Sequence, residues 1–276
     1  MRRRMETVWK TVCSEGTGRV ALLILAIFLL SGCVSHVKDL RDAQDQFNMA
    51  ASLENQMKLD PRNIDASAVG SITASYRLSL TMISNLLDKN KGDLEKDNLL
   101  GVAYTLKALT EWRLGDYTSA RTTAASGKQL PEGSLFPRDR ALLEALPGLI
   151  KNDQAYQHLV EGNYPYVDIK RLLTESLRDL DEGMKVDSAG ENLRLFFLVS
   201  KLAVLKNWLD LTGDDKIKKP LGFKDEIEHE EWCGVAKPVW AFFTSEAERN
   251  KKGQEAEEFN LWWGRALGLP EACETP

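Results

Sequence analysis

The amino-acid sequence predicts an all-α protein: an array of helical hairpins that becomes irregular toward the carboxyl terminus. Apolar residues recur every three or four positions through most of the chain after residue 36, which is the period of an amphipathic helix. No segment alternates apolar and polar residues as a half-buried strand does, and the Asn-Gly and Asp-Gly pairs typical of β-hairpin turns are missing from the sequence. Proline and glycine separate the helical segments.

The amino terminus has the pattern of a secretory signal. Five basic residues precede an uncharged apolar run at residues 20–30, VALLILAIFLL. A basic region followed by an apolar region is typical of a signal peptide. The run is too short for a membrane-spanning helix, which needs about 20 apolar residues. We therefore predict a cleaved signal peptide at residues 1–32.

The motif Leu30-Ser31-Gly32-Cys33 ends this segment and resembles the bacterial lipobox, which consists of a branched apolar residue, two small residues and a cysteine. The resemblance implies cleavage between Gly32 and Cys33, a diacylglyceryl thioether on Cys33 and, usually, an acyl chain on its amine. Residues 33–36 would form a lipidated tether. Val34 stands where an aspartate would suggest inner-membrane retention in some bacteria, so the resemblance favours an outer-membrane lipoprotein facing the periplasm. The alternatives are an ordinary signal peptide with an accidental cysteine and an uncleaved anchor.

The charge of the mature chain limits its partners. Removing five basic and two acidic residues with the signal changes the formal net charge from −5 to −8. An acidic surface argues against nucleic acid as a partner, because phosphates require clustered lysine and arginine. It also argues against adhesion to anionic lipid by charge, so the covalent lipid on Cys33 would provide the membrane attachment. We predict no other cofactor.

Two helices are predicted directly after the tether. Residues 37–59 keep helical spacing up to Pro61, whose ring nitrogen lacks the hydrogen that the next turn of a helix would need. Residues 67–87 carry a second apolar stripe, and the polar segment at residues 89–93 is predicted as a turn.

The next two helices are predicted at residues 94–114 and 117–129, and they resemble a tetratricopeptide repeat. The resemblance consists of a large aromatic residue, a small residue one turn later, a Gly-Asp-Tyr turn, small residues on the second helix and a closing proline. The residues that carry it are Tyr104, Ala108, Gly115, Asp116, Tyr117, Ala120, Ala124 and Pro131. It is good for one repeat and partial for two more, around Phe47 and Leu180. The alternative is an irregular helical bundle with one chance repeat.

The resemblance implies a binding surface. In this family the first helix of each repeat lines a concave groove that binds peptides or extended segments of partner proteins. The groove positions carried over to this chain are Thr105, Leu109, Trp112 and Arg113. Tryptophan and arginine often anchor interfaces, whereas a tryptophan at helical spacing is more often part of a core.

The second half of the chain is expected to be less regular, because Pro137, Pro147 and Pro165 bound short segments. The apolar segment at residues 191–211 is predicted as the central buried helix. We predict a tetratricopeptide-like domain at residues 37–211 and an aromatic-rich extension at residues 212–276 packed on it. The predicted helices are residues 138–146, 154–161, 166–186, 191–211, 239–250 and 254–267.

Two cysteines remain after Cys13 is removed with the signal and Cys33 is acylated. In an oxidising compartment Cys233 and Cys273 are candidates for a disulfide, and two independent thiols are the alternative. His229 lies one helical turn before Cys233, but it has no second histidine one turn away, as a helical zinc protease would need. We therefore predict a solvated acidic face there and no metal site.

No motif in the chain indicates catalysis. A glycine-rich phosphate loop, a nucleophile elbow and a Cys-x-x-Cys pair do not occur, and carboxylate pairs such as Asp179 and Glu182 are common on helices. The aromatic end of the chain, including Trp262, would suit sugar stacking, although a helical core also explains it.

The prediction is a non-catalytic scaffold that binds one or more envelope proteins in assembly, secretion, transport or pilus biogenesis. The alternatives are an accessory solute-binding component of a transporter and an envelope enzyme acting on glycan or peptidoglycan.

Overall fold

A computed structural model describes residues 35–54, 66–131, 133–162, 164–187, 190–212, 226–249, 254–269 and 273. The regular elements in these ranges are helices, and no strand occurs among them, which confirms the predicted all-α array of helical hairpins. The helices are α1 (35–54), α2 (Ala66–Lys96), α3 (Leu100–Arg113), α4 (Tyr117–Lys128), α5 (Pro137–Glu161), α6 (Tyr166–Met184), α7 (Glu191–Thr212), α8 (Glu226–Arg249) and α9 (Gln254–Leu267).

The chain divides into two compact units, and the boundary lies between Ala103 and Tyr104 inside α3. The first unit contains α1, α2 and the first turn of α3, and the second contains the rest. The structure does not separate the predicted extension after residue 211 as a unit of its own. Helices α8 and α9 pack on α7 within the second unit. Most of the predicted polar linker, residues 213–219, lies outside the described residues.

In the first unit α1 packs along α2. Ser79 Oγ donates a hydrogen bond to the Ala43 carbonyl oxygen at 2.8 Å, and the rings of Phe47 and Tyr76 lie 5.4 Å apart. Helix α2 bends at Asn90 (φ −123°, ψ 20°), inside the predicted turn, and continues to Lys96. The next helix therefore begins at Leu100 and not at residue 94. The buried side chains of this unit include Leu40, Ala43, Ala50, Ile72, Tyr76, Ile83, Leu86 and Leu94.

In the second unit α3 and α4 form a tight hairpin. Gly115 has φ 78°, a left-handed conformation that costs glycine little, and Asp116 caps α4 by accepting a hydrogen bond from the Ser119 backbone nitrogen at 3.1 Å. A Cβ added to Gly127 on α4 would lie 3.2 Å from the Tyr104 Cβ on α3, so the two backbones approach closely. The bounds of α4 agree with the predicted helix.

The prediction of two short helices separated at Pro147 is wrong, because α5 is a single helix. It runs without interruption from Pro137 to Glu161 with that proline inside it. An internal proline costs about 3 kcal/mol because one helical hydrogen bond is lost. Burial of an aliphatic side chain contributes about 1.5 to 3 kcal/mol, so Leu146, Leu149 and Ile150 together outweigh that cost.

Helices α5, α6 and α7 form the centre of the second unit. The predicted stripe of α6 is buried at Ile169, Leu173, Leu177 and Leu180, and α7 is buried as expected, with Trp208 among its largest enclosed side chains. Helix α5 is equally enclosed as far as Ala155, which the sequence did not indicate. Polar bridges also join the helices, from Lys151 to Asp179, from Lys201 to Asp181 and from Asn207 to Asn152.

Helix α8 begins at Glu226, well before the predicted start at residue 239, and contains Pro238. Its buried face includes Trp232, Ala236, Val239 and Phe243, so packing again overrides a local helix breaker. Among the described helices, none combines the length and apolar character that crossing a bilayer requires.

Candidate functional site

The structure does not support an open groove at the positions that the repeat resemblance implied. Thr105 and Trp112 are buried, and Leu109 and Arg113 are partly buried. The reason is that α3 directs its large residues inward, where Trp112 joins the hydrophobic core of the second unit. Gly32 and Cys33, the predicted cleavage and lipidation positions, lie outside the described residues.

Trp112 instead organises a polar network against the second half of α5. Its indole Nε1 donates a hydrogen bond to Asp153 Oδ2 at 2.7 Å. The guanidinium carbon of Arg113 lies 4.0 Å from the centroid of the Trp112 ring, within range of a cation–π interaction. The tryptophan thus fixes the neighbouring arginine in place.

Helix α4 extends the same network along α5. Gln157 Nε2 donates to the Tyr117 hydroxyl oxygen at 3.1 Å, and Arg121 Nη2 donates to Gln154 Oε1 at 2.8 Å. Burial and then the negative charge of Asp153 raise the pKa of Tyr117. The result is a surface of arginine, glutamine and tyrosine side chains held in defined positions.

A shallow cavity of about 290 Å³ lies next to this network, between the end of α5 and the start of α6. The rings of His158 and Tyr164 stack on one wall with centroids 3.4 Å apart, and Arg171 lies 3.4 Å from Asp168. The cavity therefore presents aromatic faces and both signs of charge. It is lined by Gln154, His158, Tyr164, Asp168, Arg171 and Leu172.

Around the turn between α5 and α6, several large apolar side chains face solvent. Tyr156, Val160, Tyr164 and Val167 are 54%, 69%, 44% and 73% exposed, and we call these four residues the hairpin tip. Single exposed apolar residues are common, but four within a dozen residues are a local concentration of exposed apolar side chains. Sequence reasoning missed the tip because nothing local distinguishes an exposed valine or tyrosine from a buried one.

The acidic segment near His229 is not simply a solvated face, which corrects that prediction. Glu228 is buried and accepts a hydrogen bond from Trp208 Nε1 at 3.5 Å. Lys170 Nζ lies 3.6 Å from Glu228 and 2.7 Å from Glu231, joining α6 to α8. The charges that flank His229 therefore hold the helices together.

Cys233 and Cys273 are joined by a disulfide in the structure, and His229 Nε2 lies 3.3 Å from Cys233 Sγ. These three residues bring possible ligand atoms within 4.8 Å of one another. Sulfurs that are bonded to each other do not offer the thiolates that a zinc site needs. In this oxidised state the cluster joins the end of the chain to α8.

The remaining predicted groups lie in ordinary structural surroundings. Asp179 is paired with Lys151, and Glu182 is paired with Lys185. Trp232, Phe243 and Trp263 are buried, whereas Trp262 is exposed. The aromatic residues at this end of the chain therefore serve mainly as core.

Comparisons with protein-family models, with curated proteins and with solved structures find no match for this chain. In the second unit, the hairpin tip together with the network beside it combines exposed apolar side chains with ordered polar groups.

Proposed function

We propose that the chain is a lipid-anchored lipoprotein of the bacterial envelope that acts as a non-catalytic helical scaffold and binds another envelope protein. The observation that carries this proposal is the exposure of the hairpin tip. Apolar patches rimmed by polar residues mark interaction sites, and tyrosine is enriched in protein interfaces. Here Tyr156 and Tyr164 supply aromatic surface, and Val160 and Val167 supply aliphatic surface.

The polar network supports the same function because it fixes the surroundings of the tip before a partner arrives. Asp153, Gln154 and Gln157 each have a hydrogen-bond partner on α3 or α4. Binding to an ordered surface loses less conformational entropy than binding to a mobile one. A partner that covers the tip would therefore gain apolar burial at low ordering cost.

The sequence at Cys33 supports the location of the scaffold. Acyl chains on that cysteine would contribute about 0.8 kcal/mol for each buried methylene, and several chains together hold a protein stably on a bilayer. The acidic mature chain would add no electrostatic attraction to anionic lipid. We propose that the protein is anchored in the outer membrane and faces the periplasm.

Partner capture from detergent-solubilised membranes tests the scaffold function. The test protein carries Val160→Asp and Val167→Asp, and the control carries Val69→Asp, at a valine that is 46% exposed in the first unit. We expect the tip variant to lose a partner that the wild type and the control both retain. Retention of every partner by the tip variant, with its helical content unchanged, would refute the tip as the binding surface.

A further inference from the structure

The first turn of α1 is fixed to the rest of the first unit. Helix α1 is described from residue 35, which lies within the predicted tether. His36 is only 4% exposed, and its Nε2 lies 2.7 Å from Asp97 Oδ2, at the end of α2. Leu40, one turn later, is buried in the same unit.

The segment that receives His36 is itself well ordered. We call residues 93–99, the last turn of α2 and the link to α3, the corner. The Asp97 nitrogen donates to the Asp93 carbonyl oxygen at 3.0 Å, and the Leu99 nitrogen donates to the Leu94 carbonyl oxygen at 2.7 Å. The Leu94 side chain is fully buried. The contact between His36 and the corner therefore joins two structured elements.

The length of chain before this contact limits how far the domain can move from a lipidated residue. Cys33 and Val34 lie outside the described residues, and Cys33 precedes His36 by three positions. An extended chain spans at most about 3.6 Å for each residue, so the Cα atoms of Cys33 and His36 are within about 11 Å of each other in any conformation. The polar layer on each side of a bilayer is itself about 5 to 8 Å thick.

We infer that the corner and the first turn of α1 lie against the headgroups of the bilayer when Cys33 is acylated. This inference rests on the proposed lipid anchor, and it adds a membrane-facing surface and an orientation for the first unit. A protein on a long flexible tether would have no fixed membrane-facing surface.

The charges on this surface indicate which lipid it fits. Lys38 Nζ lies 2.8 Å from Asp42, and Lys96 Nζ lies 3.1 Å from Asp93, so both lysines are paired with carboxylates. The surface also carries Asp39, Glu95 and Asp97, so it is net acidic and gains nothing from anionic lipid. It fits zwitterionic phospholipid headgroups, whose ammonium groups can pair with these carboxylates.

The length of α2 provides an internal control for orientation. Residues 69–90 precede the bend in α2, and a helix rises about 1.5 Å for each residue, so Val69 lies about 30 Å from the bend, which is next to the corner. Val69 is 46% exposed, and the side chain of Lys96 in the corner is 78% exposed. A label at either position should therefore be tolerated.

Fluorescence quenching in vesicles tests the inference. The acylated mature protein, carrying Lys96→Cys or Val69→Cys, is labelled with a maleimide dye and inserted into phosphatidylethanolamine and phosphatidylcholine vesicles that contain a headgroup-attached quencher. Protein without an added cysteine is treated in parallel to measure background labelling. We expect the label at residue 96 to lose most of its emission and the label at residue 69 to lose little.

A linker insertion gives the matched control. About 30 glycine and serine residues placed between Val34 and Ser35 have a root-mean-square length of about 30 Å, which would release the domain from the surface. Quenching at residue 96 should then fall to the level at residue 69. Equal quenching at both positions in protein with confirmed acyl chains would overturn the inference and leave the anchor standing. Mature protein without acyl chains would overturn both.

Discussion

Substitution of Gly148 by alanine tests whether close contact between α5 and α6 holds the second unit together. A Cβ at this position would lie 2.7 Å from the Ser176 carbonyl oxygen and 3.1 Å from the Leu180 backbone nitrogen. These are backbone atoms of α6, so a rotamer change cannot relieve the overlap. Ser176 Oγ also donates to the Gly148 carbonyl oxygen at 2.6 Å, a bond that separation of the helices would lengthen.

The expected change in the free energy of unfolding combines opposing effects. Overpacking costs about 1 to 3 kcal/mol, and loss of the Ser176 hydrogen bond costs about 1 kcal/mol more. Alanine gains about 1 kcal/mol over glycine in a helix. We therefore expect Gly148→Ala to lower the free energy of unfolding by about 2 kcal/mol and the Tm by about 4 to 8 °C.

Thermal denaturation followed by circular dichroism measures this difference, and Gly234→Ala is the matched control. Gly234 is also helical, on α8, but a Cβ there would meet no atom within 4 Å. The control should gain up to about 1 kcal/mol from helix propensity alone. If both variants raise the Tm by the same amount, the close approach of α5 and α6 is not as described.

Three further predictions concern charge and covalent structure. Burial raises the pKa of Asp139, so the folded state prefers the protonated acid. Asp139→Asn should therefore raise the Tm at pH 7. The difference in Tm between the variant and the wild type should shrink as the pH falls through the raised pKa. Asp116 accepts a hydrogen bond from Ser119, which lowers the Asp116 pKa, so Asp116→Ala should lower the free energy of unfolding by about 1 kcal/mol near neutral pH. This difference should disappear as acid protonates the wild-type carboxylate. A difference that does not depend on pH would contradict the capping role. Non-reducing peptide mass mapping should find Cys233 linked to Cys273. Reduction of this bond, which closes a loop of 40 residues, should lower the free energy of unfolding by about 4 kcal/mol. Two alkylatable thiols in native material would contradict the bond.

The sequence predicts a helix well where the apolar spacing and the residues at the two helix ends indicate the same boundaries. Helix α6 follows from Ile169, Leu173 and Leu177, which recur at helical intervals and are all buried. Helix α5 was predicted as two helices, and the start of α8 was predicted too late, because Pro147 and Pro238 are local helix breakers. Tertiary packing on both sides of each proline outweighs its local cost, and that packing is not visible in a short segment of sequence.

The candidate site was harder to predict because exposure depends on the neighbours that each residue acquires in the fold. Trp112 was a candidate groove position and is buried, whereas Val160 and Val167, which no sequence motif marks, face solvent. Glu228 was expected in water and is enclosed beside Trp208. Residue type gives the chemistry of a side chain, and only the helix packing gives the surface on which it lies.

The central claim is that the chain is held on a membrane through Cys33, and the intact mass of mature protein purified from membranes of its own cells measures it most directly. The proposal predicts a polypeptide that begins at Cys33 and carries the added mass of a diacylglyceryl group and, usually, one further acyl chain. The Cys33→Ser variant should accumulate as an uncleaved precursor. A mature protein with an unmodified amino terminus, or a Cys33→Ser variant processed normally, would contradict the claim.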